Sequence, residues 1–429
     1  MITCHSLNGN IYDNGINFKD FKDIIGTLKS NWKILNLIPV QAIILIFDEY
    51  SRRLSRDKQL LKIEGVPYLS FYFKKSNLEK LINISLKDKK YLNEFVYEED
   101  GKLIKAQGRG IACHWIAGNI DTLAFYSVFQ AIIAKNSNLV RVPKKNIQIV
   151  ARLLKCLDNI EVNYENKIYY SKDILKNICL IYFDSTDELL NKEMSFAADA
   201  RIVWGGEEAV NYIVKLPKKT TCKDVIFGPK YSFAVFDKDI IEGDECQKYI
   251  EKFVMDIITF NQKACSSPQV LFVEKSSIPL EKTVKMIGEA FKKIEKRYKN
   301  VVDEATVARI INERGIYSLS LDKQIYCSKG LNYTILINND IVLEEPVGGR
   351  CIFVKEVNSI FDVENLINRR IQTLGFAIKD KSKMLKFADM VTTLGVDRVV
   401  SVGIMNIYDS PWDGCFIVNE LVRWCSINI

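Results

Sequence analysis

A cysteine in a polar turn is the residue of this chain best placed to do chemistry. The stretch Asn261-Gln262-Lys263-Ala264-Cys265-Ser266-Ser267-Pro268-Gln269 separates two strongly apolar segments. Before it, Tyr249, Ile250, Phe253, Val254, Ile257 and Ile258 recur in pairs four residues apart, the period of a helix that buries one broad face. After it, Val270-Leu271-Phe272-Val273 reads as a buried strand. A thiolate attacks activated carbonyl carbons and leaves again, so it suits covalent acyl chemistry. Scaffold on both sides would fix its angle of approach. The plainer reading is a buried apolar thiol, since cysteine is among the most buried residue types. The polar neighbours of Cys265 point the other way.

A nucleophile of this kind needs a framework, and the segments upstream of it alternate between strand and helix. Strands are expected at residues 111–116, 139–142, 178–183, 201–204, 225–227 and 233–235, with helices at 121–134 and through Ile149 and Leu154. Such alternation means crossover units and a mostly parallel sheet. Nucleotides bind these sheets where strands end in loops that lead into helix amino termini. Two corners have the right composition. Val203-Trp204-Gly205-Gly206-Glu207-Glu208 follows a strand and opens a helix, so Gly205 and Gly206 would let backbone N–H groups approach a pyrophosphate; a plain capped turn, favoured by the acidic pair, is the equal alternative. Arg141-Val142-Pro143-Lys144-Lys145 ends another strand, and the charge of Arg141 and Lys144 suits an adenosine phosphate unless it simply faces solvent. Gly108-Arg109-Gly110 precedes a strand and lacks a third glycine, so it reads as a turn.

The remaining segments are less legible. Helical periodicity appears at 40–54, with Pro39 where a proline suits a helix start, and again at 78–92. Asp100-Gly101 between two alternating runs predicts a hairpin, an arm at about 94–110 suited to oligomerisation. Residues 281–299 carry an apolar stripe with lysines opposite, a solvated helix face.

Composition sets the bounds. The chain has 429 residues, 48% hydrophobic and 26% charged, with 9 prolines, which fits a folded protein of more than one lobe. The 11 cysteines form no C-x-x-C pair and no zinc-spaced cluster, so no metal is expected and reduced cytoplasmic thiols fit best. No apolar run is long enough to span a bilayer, and the amino terminus lacks the pattern of a signal peptide. The net charge of +7 is dispersed and carries no aromatic interleaving, which argues against nucleic acid as partner.

Taken together, Ala264-Cys265-Ser266-Ser267-Pro268-Gln269, Gly108-Arg109-Gly110 with His114 and Asn119, Ala200-Arg201-Ile202-Val203-Trp204-Gly205-Gly206, Phe227-Gly228-Pro229-Lys230, Glu344-Glu345-Pro346 and Trp412-Asp413-Gly414 resemble the aldehyde dehydrogenase superfamily. Within it the chain is most similar to the LuxC-type fatty acyl reductases, over residues 108–412. The resemblance implies an α/β fold with a Rossmann-type cofactor domain at 1–228, a second α/β catalytic domain at 229–405 carrying the nucleophile, and a segment at 406–429 that returns to the cofactor and oligomerisation region. It implies Cys265 as nucleophile and Asn119 as an oxyanion donor. Arg141 would lie near the adenosine ribose, Gly205 in the pyrophosphate turn and Glu345 at the nicotinamide ribose. His114 lies close to Asn119 and is open to a proton-transfer or a structural role.

One departure is informative. Oxidative members of the superfamily carry a general-base glutamate where this chain has Ile226, and thioester hydrolysis needs a base to activate water. The expected activity is therefore NADPH-dependent reduction of an acyl-CoA or acyl-protein thioester to the aldehyde, with NADPH preferred over NADH. An oxidative or CoA-acylating aldehyde dehydrogenase is the alternative. The implied partners are coenzyme A or an acyl-carrier or acyl-ligase protein as donor and further copies of the chain, with a complex with an acyl-protein synthetase left open.

Overall fold

The structure is a computed structural model and describes residues 1–99, 101–295 and 297–428. The chain divides into two compact units, one formed by residues 1–228 and 408–429, the other by 229–407. The return to the first unit thus begins at Tyr408, whereas the sequence placed the change at 406.

Strands of the first unit, in chain order, are β1 (Ile2–Leu7), β2 (Asn10–Phe18), β3 (Val96–Tyr97), β4 (Leu103–Gly108), β5 (Ile111–Trp115), β6 (Ser137–Arg141), β7 (Glu161–Tyr164), β8 (Lys167–Tyr170), β9 (Ile178–Tyr182), β10 (Ala200–Trp204) and β11 (Lys223–Phe227). In the second unit they are β12 (Tyr231–Phe236), β13 (Val270–Glu274), β14 (Gln324–Cys327), β15 (Thr334–Ile337), β16 (Cys351–Val357), β17 (Ile371–Ala377) and β18 (Arg398–Ser401), and β19 (Val422–Ile427) completes the first unit.

The main sheet of the first unit has the order β11-β10-β5-β6-β9-β1-β2. Its first five strands are parallel, and β1 and β2 extend it antiparallel. Strand β5 lies inside the sheet and is buried on both faces: Ala112 joins one apolar layer, Ile111, Cys113 and Trp115 the other. The helix Leu123–Ile133 is apolar all round because it is enclosed, with every residue from Ala124 to Ile133 buried. Phe129 from this helix meets Phe47 at 4.7 Å and Phe73 at 5.1 Å between ring centroids. Removing such a ring costs about 3–5 kcal/mol.

Two expectations are modified. The helix expected at 78–92 ends at Leu86, because Lys87 takes φ 65° and the chain restarts as a 3-10 turn, Lys89–Leu92. The hairpin is present as the pair β3–β4, with β19 added on the far side of β4; Asp100 of its predicted turn lies outside the described residues. Among the described residues no single helix is long and apolar enough to cross a membrane.

The second unit is another seven-stranded sheet, in the order β14-β15-β16-β13-β12-β17-β18, parallel except for β14. Apolar layers cover both faces: Phe253, Val254 and Ile257 from the helix Cys246–Ile258 on one side, Ile310, Phe387 and Val391 on the other.

Candidate active site

The helix Cys246–Ile258 delivers the chain to the amino end of β13, and the segment between them is unusual. Phe260, Asn261 and Gln262 all have positive φ, at 58°, 45° and 60°. Each such non-glycine residue costs about 1–3 kcal/mol and persists only where its surroundings over-determine it. They do so here. Gln262 donates through Nε2 to the carbonyls of Pro268 and Cys351, both at 3.0 Å. Arg350 donates through Nε to Asn261 Oδ1 at 3.0 Å, and its other nitrogens grip the carbonyls of Tyr298 and Lys299. Gly349 lets Arg350 reach this point, since a Cβ there would lie 2.8 Å from Val302 and 2.9 Å from Thr306.

Cys265 follows, half-buried, between buried residues on either side. Its carbonyl accepts a hydrogen bond from Ser232 Oγ on β12 at 2.6 Å, and the same hydroxyl accepts one from the Thr373 N–H on β17 at 3.1 Å. Ser266 and Ser267 donate to Asn406, and Gln269 donates through its amide N–H to the Ser232 carbonyl. The turn is therefore tied to both neighbouring strands and to a distant loop. Two other thiols of this unit are withdrawn from chemistry: burial pushes Cys246 up and Cys351 up to about 12, which keeps both protonated.

Glu345 lies ahead of β16, the parallel neighbour of β13, and is exposed. Its neighbour Glu344 is committed to structure, taking the buried Lys355 ammonium at 2.8 Å and the Asn338 amide at 3.1 Å. One glutamate thus anchors the loop and the next is presented on it. Cys265 and Glu345 both stand at the amino ends of adjacent strands of the second unit.

In the first unit the candidate residues gather at the carboxyl edge of three adjacent parallel strands. Gly205 and Gly206 follow β10, Asn119 follows β5, and Arg141 closes β6. Gly206 caps the helix Glu207–Val214 without a side chain, and a Cβ added there meets nothing within 4 Å. The corner is open, with the N–H groups of a helix start behind it. Asn119 is exposed, and its loop is steadied by buried Asn146, which donates to Asp121 Oδ1 at 2.6 Å and to the Gly118 carbonyl at 3.5 Å. Lys144 and Lys145 are exposed in the turn Lys144–Asn146. Arg141 is more withdrawn than the sequence implied: its guanidinium lies 5.1 Å from the centre of the Phe183 ring and donates to the Phe183 carbonyl. Its buried Nε has no hydrogen-bond acceptor, and burial lowers its pKa. An open helix start after β10, and an under-satisfied guanidinium with exposed lysines after β6, on the same edge of the sheet, are the kinds of group a dinucleotide phosphate takes.

His114 requires correction as a catalytic candidate. It is fully buried on the layer of β5 that faces the helix Leu123–Ile133. Asn138 uses its Nδ2 on the carbonyls of Asn136 and Asn177, so its Oδ1 must accept from His114 Nε2–H at 2.9 Å. His114 Nδ1 then accepts from the Ser127 hydroxyl at 2.8 Å, which itself accepts from the Trp204 indole at 3.1 Å. Burial pushes the imidazole down to about 4, so it stays neutral inside a satisfied network. Gly108 and Gly110 are likewise packing positions, pressed against the Lys135 carbonyl and the Asp199 carboxylate. Ile226 packs onto the apolar layer that includes Val203, Ile213 and Leu216. Among the described residues no cluster of His, Cys, Asp or Glu could hold a metal ion.

Three supporting residues escaped the sequence reading: Asn146, Arg350 and Asn406. Each acts on a partner far away in the chain, 140 residues for Asn406 and Ser266, and no local pattern marks such a contact. Only the pair Gly348-Gly349 ahead of Arg350 hinted at a special backbone.

Comparison with known proteins bears on the family and the fold. A family model described as acyl-CoA reductase (LuxC) matches residues 30–424. The long-chain acyl-protein thioester reductase of Aliivibrio fischeri is 24% identical over 404 residues, covering 88% of this chain and 78% of that protein. The enzyme of the same description from Vibrio harveyi is 24% identical over 437 residues, covering 97% and 83%. Among solved structures, aldehyde dehydrogenase 21 from Physcomitrella patens, in complex with the reaction product succinate, superposes with a TM-score of 0.71 at 9% identity, covering 100% of this chain and 94% of that one. An E. coli NADP dependent enzyme gives 0.67 at 11% identity, covering 100% and 95%. The fold is thus aldehyde-dehydrogenase-like, as the sequence resemblance implied. With a match over nearly its whole length, the chain belongs to the LuxC family of acyl-CoA reductases.

Proposed function

We propose that this protein reduces an activated long-chain acyl group, carried as a thioester on coenzyme A or on a carrier or ligase protein, to the free aldehyde through an acyl-Cys265 intermediate, with NADPH as reductant. The observation that carries this reading is the accessible Cys265 on a strained, fully tied turn, in a chain of the acyl-CoA reductase family. The relatives named as acyl-protein thioester reductases support the choice of substrate class.

In this mechanism the Cys265 sulfur bonds to the acyl carbon and the bond from that carbon to the donor sulfur breaks, the donor leaving as a thiol with the proton Cys265 gives up. A nicotinamide cofactor, when bound, would supply hydride to the acyl carbon. The bond from that carbon to the Cys265 sulfur then breaks, the electron pair returning to sulfur as thiolate and the aldehyde leaving. Gly205, Gly206, Arg141 and Lys144 are the residues assigned to hold its phosphates, and Glu345 its nicotinamide ribose. Asn119 is assigned the donor to the carbonyl oxygen as negative charge develops there. A thiolate is a tolerable leaving group, so neither departure requires an acid, consistent with the withdrawal of His114 into the core. Ile226 provides no base for water, which favours reduction over hydrolysis. The three-stranded arm of β3, β4 and β19 is assigned to oligomerisation.

The test is product analysis with purified protein, a series of acyl-CoA thioesters and NADPH. Aldehyde should form with equivalent release of free coenzyme A and loss of NADPH. Formation of carboxylic acid with nicotinamide reduction from added aldehyde, and no aldehyde from thioester, would favour the oxidative alternative.

A further inference from the structure

The two serines after Cys265 converge on a single atom. Ser266 Oγ and Ser267 Oγ donate to Asn406 Oδ1, at 2.8 Å and 3.2 Å, and all three residues are buried. The orientation of the carboxamide is set from its other end, where Nδ2 donates to the Asp256 carbonyl at 2.7 Å. A flipped amide would place two acceptors face to face there, so Oδ1 must point at the serines. The loop that brings Asn406 to this place is itself clamped. The Asp256 carboxylate accepts the N–H groups of Gly403 and Met405. Arg398 donates to the carbonyls of Ile404, Met405 and Ile407, at 3.0, 2.7 and 2.9 Å. Helix end and nucleophile turn therefore meet at the Asn406 side chain, on a loop held by Arg398 of β18, all within the second unit.

We propose that Asn406 is a positioning residue for the reaction: by holding both serine hydroxyls it fixes the turn on which the Cys265 thiol is presented. The inference rests on the reading of Cys265 as nucleophile. Asn406 does not touch the acyl group in this account. It acts by restricting the turn to one geometry, and a displacement of about 1 Å at a reacting centre is worth roughly a hundredfold in rate. A second consequence concerns how the contacts combine. Removing the acceptor or removing both donors abolishes the same two hydrogen bonds, so the two changes are coupled and should not add.

The experiment compares Asn406→Ala, the double variant Ser266→Ala/Ser267→Ala, and the triple variant, each confirmed as folded by circular dichroism. Two rates are measured at saturating reagent: acylation of Cys265 by an acyl-CoA, and alkylation of Cys265 by iodoacetamide, a small reagent that needs little orientation. Acylation should fall by about tenfold to a hundredfold in Asn406→Ala, alkylation by less than about threefold, and the triple variant should be no slower than the worse of its parents. If Asn406→Ala fails to fold, the serine pair alone must show the same separation of the two rates. Acylation at the wild-type rate in a folded variant, equal losses in both rates, or additive losses in the triple variant would overturn the proposal. Failure of the underlying reading is seen separately, as acyl labelling of wild-type protein at a site other than Cys265.

Discussion

The corners proposed for the cofactor in the first unit and the turn of the proposed nucleophile, Cys265, in the second are built by opposite means. At the corners the backbone is ordinary and the space is left open: Gly206 has extended φ and ψ, and a Cβ there would touch nothing. At the turn the backbone is strained through three consecutive residues, and nearly every polar side chain around it is spent on holding it. A ligand that arrives and departs needs room and exposed N–H groups, which cost little to provide. A nucleophile needs one angle of approach, which takes many fixed contacts. Polar burial in this protein is therefore a guide to where geometry matters, and exposed polarity to where a ligand is received.

Substitutions should separate the two designs. The largest effect short of losing the thiol is expected at Asn119, an exposed donor on the corner side. Asn119→Ala should lower turnover by about a hundredfold to a thousandfold while leaving nicotinamide affinity nearly unchanged, as measured by steady-state kinetics and fluorescence titration. Unchanged turnover would remove Asn119 from the chemistry. Next is Gly206→Leu, which adds bulk where the structure has none. It should raise the Kd for NADPH by about tenfold or more with little change in Tm, because it blocks approach to the helix start without crowding the fold. A drop in Tm with unaltered binding would mean that the corner is a packing feature.

Smaller still is the effect of Lys144→Ala, alone or with Lys145→Ala. Arg141 is drawn onto Phe183, so the exposed lysines are the freer source of charge for a 2′-phosphate. The ratio of kcat/KM for NADPH over NADH should fall by roughly threefold to tenfold. An unchanged ratio would show that these lysines face only solvent.

The smallest effect probes the frame beneath the corners. Lys135 is buried, its ammonium bonded to the Ile38 carbonyl, and burial pushes it down to about 7. The unfolded chain keeps that proton up to about pH 10.4. Between these values the unfolded state binds more protons than the folded one, so stability attributable to this group rises with pH from about 7 and is lost as pH falls back through 7. Lys135→Met should flatten the difference between Tm at pH 7 and at pH 10 relative to wild type. An identical difference would place the ammonium in contact with water.

Much of the fold was legible because period and environment agree. The strands β5, β6, β9 and β10 each carry a short apolar run in a largely buried setting, unbroken in β9 and flanked or interrupted by polar residues in the other three, and the helix between β5 and β6 is apolar over a length no strand reaches. The first two strands were not legible, since β2 is an exposed edge with a polar sequence, Asn10-Ile11-Tyr12-Asp13-Asn14-Gly15, and its pairing is decided by tertiary contact. Cys265 could be found because its turn is a polar island between apolar segments. His114 was ambiguous for the converse reason: its partners, Ser127 and Asn138, are supplied by elements on other parts of the sheet and helix layer. Asn406 and Arg350 stayed hidden because a residue that organises a distant turn has no signature of its own.

The central claim is a covalent one, and it is tested most directly by intact-protein and peptide mass spectrometry after incubation with a long-chain acyl-CoA in the absence of nicotinamide. The account predicts a single acyl adduct on the peptide containing Cys265, removed by hydroxylamine, discharged as aldehyde when NADPH is added, and absent from Cys265→Ala. An adduct on another cysteine, or an acyl adduct that persists in Cys265→Ala, would contradict it.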